Sequence, residues 1–317
     1  MQKPYIPIQV RNLCSGGAIS VQPVLLRESF KLIIDMGNRS HTGGNVTWRI
    51  HLKSTPAKKL PIAFALREHF NVLTAVALRD MRTRFFDHGL GFLVVILWPL
   101  IHMVLLLVIY NFAGRQAPYG TTSLFSATGL IPTLNFMYIS RFMSFSLILN
   151  RPMLNFPVVK IIDIMLARAF LEVTAGIMTT ATIMLILWIM GEDPFPYDPV
   201  QAVLGYLATI LLAIGVGTLV GVIVMFAQVF LTIYALFMVI IYVSSGTLFV
   251  LSALPVQIAY PLSWNPVIQC TEWIRSAYFE TYSVEYLSKL YLVGFGLTSL
   301  CLGLVLERVF RRKMFEG

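Results

Sequence analysis

Apolar residues in this chain arrive in blocks of about 20, the length an α-helix needs to cross the hydrocarbon core of a bilayer. Six blocks stand out, over residues 91–112, 123–149, 164–190, 200–226, 229–251 and 290–310. Composition agrees. Of 317 residues 57% are hydrophobic and 12% charged, whereas soluble domains run near half apolar and about one-quarter charged. A soluble enzyme, a nucleic-acid binder and a secreted disulfide scaffold are all poor readings. The net charge of +9 reports topology instead, because Lys and Arg collect in cytoplasmic segments of multispanning proteins.

The connecting segments set the orientation. Segment 58–84 carries six basic residues, 141–168 four and 308–313 four, and these belong inside. The alternate connections hold Arg115, then no basic residue in 191–199, then Arg275 and Lys289 beside three glutamates, and these belong outside. Six spans with both termini cytoplasmic satisfy every segment, whereas five or seven would strand a basic cluster outside.

Residues 1–57 are of mixed polarity without a sustained helical period and read as a poorly ordered extension; 58–317 form the transmembrane domain. Ahead of the first span, an amphipathic helix carries Leu66, Phe70, Leu73, Val76, Ala77 and Met81 near one face. Arg79, Arg82 and Arg84 are placed to reach head groups. The connection over 252–289 is long and aromatic, which predicts short re-entrant helices in the outer leaflet; an interfacial aromatic belt is the alternative. The expected fold is therefore an all-α integral membrane protein. It has six transmembrane helices, an N-terminal interfacial helix and short re-entrant helices between spans five and six.

Several chemistries lack their motifs. There is no G-x-x-x-x-G-K-[ST] loop, no H-E-x-x-H, no G-x-S-x-G and no G-x-G-x-x-G after a strand, so the chain is not expected to hydrolyse ATP. Cys14, Cys270 and Cys301 lie far apart without ligand spacing, and no metal site is expected. Spans two, four and five hold no carboxylate, which disfavours an ion-coupled carrier. Asp80 and Asp87 form no D-x-D, which disfavours a membrane glycosyltransferase. Arg168 and Glu172, at i and i+4, read as a structural ion pair. His102 suits a hydrogen-bonded helix contact, with a lumenal position as the alternative. Gly217 and Gly221 permit close helix approach, within the chain or between copies. Trp98, Tyr110, Tyr138, Tyr234 and Tyr242 are candidate lumen aromatics whose ring faces suit sugar C–H faces, against the plainer reading of lipid contact or bundle packing.

Taken together the residues resemble the permease subunits of ABC-2 type polysaccharide exporters, most closely those of group 2 capsular polysaccharide export. The resemblance rests on Leu78-Arg79-Asp80 with Arg82, Arg84 and Phe85, on Gly91 through Leu97-Trp98, and on Gly129-Leu130-Ile131-Pro132. It continues through N-R-P-M-L-N-F-P-V-V-K-I-I-D over 150–163, Ala167-Arg168, Leu171-Glu172 and Trp264-Asn265-Pro266. It implies a homodimer in a bacterial inner membrane, with two copies of a separate ATP-binding subunit carrying ATP and Mg. The cargo would be a lipid-linked polysaccharide. Further partners would be a periplasmic polysaccharide co-polymerase and an outer-membrane export protein, with no nucleic acid and no cofactor on this chain. By the same resemblance Asn150, Arg151, Leu154, Asn155, Phe156 and Pro157 form the coupling helix, and Arg79, Arg82 and Arg84 attend substrate entry. O-antigen or another lipid-linked glycan, and small-molecule efflux, are the alternative cargoes.

Overall fold

A computed structural model describes residues 62–82, 91–114, 116–155 and 159–316. Among these all regular structure is helical. α1 spans Ile62–Met81, α2 Gly91–Phe112, α3 Thr122–Leu149, α4 Ile161–Ile189 and α5 Pro199–Phe226. α6 spans Val229–Val243, α7 Val256–Ser263, α8 Pro266–Tyr278 and α9 Lys289–Glu316. Short 3-10 turns cover Arg151–Asn155 and Leu251–Ala253.

Three described helices are long and apolar enough to cross a membrane: α4, α5 and the Lys289–Phe310 part of α9. Leu97–Phe112 of α2 and all of α6 are shorter apolar segments. α3 has the length but carries Ser, Thr and Asn where its neighbours carry Leu and Val. It is the centre of the bundle, buried over most of its 28 residues, with α2, α4, α5 and α8 packed around it. Three of its buried hydroxyls are satisfied locally: Thr133, Ser140 and Ser144 donate to carbonyls four residues back, at 2.9, 2.7 and 2.8 Å. A helix so placed meets protein over most of its surface, so it needs less hydrophobicity than one that meets lipid.

α5 is held by glycines. A Cβ on Gly217 would lie 3.0 Å from the Ser140 Cα, and one on Gly221 3.0 Å from the Met165 Sδ, so this G-x-x-x-G seats α5 against α3 and α4 within the chain. Gly215 faces the other way, onto the Gly296 carbonyl of α9, and Gly303 of α9 returns the contact with 2.9 Å to the Leu219 N.

The fifth apolar block departs from expectation. α6 ends at Val243 after 15 residues, about 22 Å of helix and shorter than a ~30 Å hydrocarbon core. The apolar run continues, but Ser244-Ser245-Gly246-Thr247 breaks the helix, with Gly246 at φ +77°. The freed carbonyls have a dedicated partner. Arg275 of α8, fully buried, donates Nη1 to the Gly246 and Phe249 carbonyls at 2.7 and 2.8 Å, and Nη2 to that of Thr247 at 3.2 Å. Its guanidinium also lies 3.8 Å from the centre of the Phe125 ring on α3.

α8 itself is buried along nearly its whole length. Asn265 caps its first turn, accepting from the Val267 N–H at 3.0 Å, while its amide donates to the Ser244 Oγ at 2.9 Å. Pro266 follows at a position where a missing N–H costs nothing. Trp264-Asn265-Pro266 thus starts α8 and moors it to the end of α6. Gln269 joins the remainder, donating to the Ser263 and Tyr286 carbonyls at 2.7 and 2.9 Å and accepting from the Ser288 N–H at 2.7 Å.

Candidate functional site

The residues singled out by sequence meet mainly where α3 passes into α4 and α1 lies alongside. Asn150 closes α3, its N–H donating to the Ser146 carbonyl at 2.9 Å and its amide reaching the Asp80 Oδ2 of α1 at 3.5 Å. The 3-10 turn that follows leaves Arg151 and Pro152 exposed, Met153 half-buried and Leu154 buried in the main core cluster with Ile161, Ile164 and Met165. Leu154 is therefore an anchor of the turn, and Arg151 and Pro152 form its outward surface. The side chain of Asn155, and Phe156 and Pro157 altogether, lie outside the described residues, as does Arg84. Arg79 and Arg82 are exposed near the end of α1.

Two polar clusters bind α1 to α4. In the first, Lys160 donates its ammonium to the Nε2 of His69, whose Nδ1–H then points at the Asp163 Oδ1, 3.0 Å away. Asp163 also accepts from the Lys160 backbone N–H at 3.1 Å, so one carboxylate caps the start of α4 and holds α1. In the second, the Arg168 guanidinium lies 3.0 Å from the Glu172 Oε1 and 3.7 Å from the Asp80 Oδ2, and 5.1 Å from the centre of the Phe142 ring. All three charged groups are about nine-tenths buried or more, so each would be costly without the others. Between the clusters Val72, Leu73, Val76 and Ala77 pack on Ala167, Leu171 and Met153. Phe70, on the expected apolar face, points outward at 70% exposure.

The candidate lumen aromatics separate. Tyr234 is buried and donates to the Ser140 Oγ at 2.9 Å; Tyr110 is buried and donates to the Leu248 carbonyl at 3.0 Å. Trp98 is half-exposed and meets His102 edge-on at 5.2 Å, and His102 meets Tyr242 at 6.4 Å. The His102 Nδ1 is 3.0 Å from the Trp98 carbonyl one turn back, the helix contact its sequence position suggested. Tyr138 lies half-buried beside the α2–α4 boundary.

The sequence did not disclose a buried cluster on α8. Arg275 reads in the sequence as a loop charge, and Glu272 as its neighbour; both are buried. Glu272 accepts from the Tyr282 hydroxyl at 2.7 Å. Burial pushes its carboxyl up from the usual range, opposed by that hydrogen bond and by Arg275. The available signal was a charged pair at i, i+3 in an otherwise apolar, aromatic-rich segment. Among the described residues no group of three His, Cys, Asp or Glu side chains converges as a metal site would require.

No family model matches the sequence. Individual proteins do. The polysialic acid transport protein KpsM of Escherichia coli is 33% identical over 244 residues, 77% of this chain and 95% of KpsM. The capsule polysaccharide export inner-membrane proteins CtrC of Neisseria meningitidis and BexB of Haemophilus influenzae are 25% and 26% identical, each over 76% of this chain and 91% of their own length. With identity at this level running nearly end to end through its relatives, the chain belongs to the family of capsule polysaccharide export inner-membrane proteins.

Proposed function

We propose that this chain is the membrane-spanning permease subunit of an ATP-driven exporter. It moves lipid-linked capsular polysaccharide across the inner membrane to the periplasm. The observation that carries the reading is the alignment of 244 residues with 95% of the length of a polysialic acid transport protein. On this reading α2 to α6 and α9 are the six spans, with both termini cytoplasmic. α7 and α8 dip in from the periplasmic side, and two copies of the chain enclose the path. ATP and Mg are held by two copies of a separate ATP-binding subunit, which docks on the exposed Arg151 and Pro152 of the turn between α3 and α4. A periplasmic co-polymerase and an outer-membrane export protein complete the route.

The two clusters between α1 and α4 support this mechanism, because they fasten α1 to both ends of that turn, at Asn150 and at Lys160. A push on the turn then moves α1 with α4 as one unit. Deleting the gene in its host and labelling the surface polymer tests the assignment. Polymer should vanish from the surface and accumulate inside, attached to membrane, and return with the wild-type gene. Normal surface polymer in the deletion strain would reject it.

A further inference from the structure

Glu272 is a buried carboxyl that the arginine clamp on the helix break leaves aside. It is 1% exposed on α8, and among the described residues its one hydrogen bond comes from the Tyr282 hydroxyl, at 2.7 Å. Arg275, one turn further along the helix, is the nearest counter-ion in sequence. Its Nη1 and Nη2 donors go instead to the Gly246, Phe249 and Thr247 carbonyls, and its buried Nε has no hydrogen bond among the described residues. Glu272 joins no ion pair among them either. An ionised carboxylate in such a site is costly, because a single neutral donor replaces the water that would solvate it outside. The neutral acid is far less so, since it keeps the Tyr282 bond and gains an O–H donor of its own.

Distant segments meet at this carboxyl. Its partner Tyr282 packs with Tyr110 of α2, Phe125 of α3, Val250 of the broken segment and Phe279, and the Tyr282 ring centre lies 4.9 Å from that of Tyr119 in the α2–α3 connection. Among the described residues the groups that act on the carboxyl are the Tyr282 hydroxyl, the Arg275 guanidinium and the Leu251 N–H. Burial outweighs all three and raises its titration above the ordinary range. Tyr110 of α2 bears on Arg275, and Lys289 of α9 is engaged with Gln201 and the Trp273 ring. α3, α5 and α7 meet α8 through uncharged side chains, Phe125, Thr133, Gln201 and Ala259 among them.

We propose that Glu272 is a proton-binding switch: protonated, it holds segments 250–254 and 279–282 against α8, and ionised, it loosens them. The sign follows from burial. Opening returns the carboxyl to water, where it titrates near its ordinary value of about 4.3, so the closed arrangement binds the proton more tightly and is favoured as the pH falls. The added stability is complete below that ordinary value and is lost as the pH rises through the raised range. On the six-span reading α8 belongs to the periplasmic side, so the proton comes from the medium and acid slows release of the polymer. The proton site itself does not rest on that reading.

The test compares full-length wild type with Glu272→Gln, whose amide stands in for the neutral acid, by hydrogen–deuterium exchange in neutral detergent. Both are run in parallel from about pH 5 to about pH 8, which spans the raised range of a buried carboxyl and cancels the intrinsic pH dependence of exchange. At the upper end, segments 250–254 and 279–282 of wild type should exchange severalfold faster than those of the variant. At the lower end the two should agree, and the middle of α3 should show no difference at either. Tyr282→Phe keeps the ring and removes the donor to the carboxylate, so its two segments should exchange faster than those of wild type at the upper end. Equal exchange by wild type and folded Glu272→Gln throughout the range overturns the switch. Infrared difference spectra of wild type keep the test decisive if the glutamine variant does not fold. A buried carboxylic-acid band should appear as the pH falls and shift in Tyr282→Phe, and its absence overturns the switch as well. If the deletion strain keeps its surface polymer while the exchange difference is present, the exporter reading fails and the proton site stands. Polymer lost from the surface with no exchange difference leaves the exporter reading and removes the switch.

Discussion

At the scale of single residues, Arg275 shows how much one side chain can hold. Three backbone carbonyls in a helix break have it as donor, and a Cβ on Gly129 would come within 2.7 Å of its Nη2 and 3.1 Å of the Thr247 Cα. Gly129 is a glycine because α3, the broken segment and the guanidinium meet there. Arg275→Met should destabilise the protein strongly, since each buried carbonyl left unpaired costs about 1–3 kcal/mol. Arg275→Lys should recover little of this, because an ammonium lacks the planar fork that reaches three acceptors. Thermal melting in detergent reads both, and a lysine variant as stable as wild type would show that charge alone suffices. The sequence discloses the arginine but not its burial, because its partners lie 26 to 29 residues away in an apolar run.

At the scale of elements, the turn between α3 and α4 and the α5–α9 pair each make a prediction. Leu154 is 7% exposed and packs inward, so Leu154→Asp should act on folding and lower the amount of protein in the membrane. Arg151→Glu should leave the amount unchanged and weaken association with the ATP-binding subunit, measured by co-purification. Loss of association in the leucine variant at normal protein levels would reverse these roles. α5 and α9 approach through Gly215, Gly296 and Gly303. Gly296→Leu puts a side chain 3.2 Å from the Leu212 backbone N and the Leu211 Cγ, so the helices must separate at a cost of about 1–3 kcal/mol. Gly294→Leu, with open space around its Cβ, should be near neutral in the same melting assay. The G-x-x-x-G on α5 was legible in sequence as a close contact. Which helices it joined was not, because small residues permit approach from any neighbour.

At the scale of the whole molecule, the proposed six-span arrangement with both termini cytoplasmic makes a prediction that can be measured. Single cysteines at Asp193 and Phe315 in a cysteine-free background should label from opposite sides of intact cells, the first from outside and the second only after permeabilisation. Labelling of both from one side would remove the six-span topology. The apolar blocks, the basic connections and the ordered motifs were all present in the sequence, since burial in lipid and attraction to the cytoplasmic face act on each segment separately. Local composition therefore announced a helical membrane protein, the boundaries of α2, α3, α4 and α5 to within a few residues, and the start of α9. Tertiary structure alone decided that α3, with its many Ser and Thr residues, is the central helix. It also decided that the carbonyls freed where α6 stops at Val243 are taken up by Arg275, and that Arg275, Glu272 and Tyr282 form a buried cluster. These depend on which distant groups meet, and a hydrogen bond to a partner far along the chain leaves no periodicity for the sequence to display.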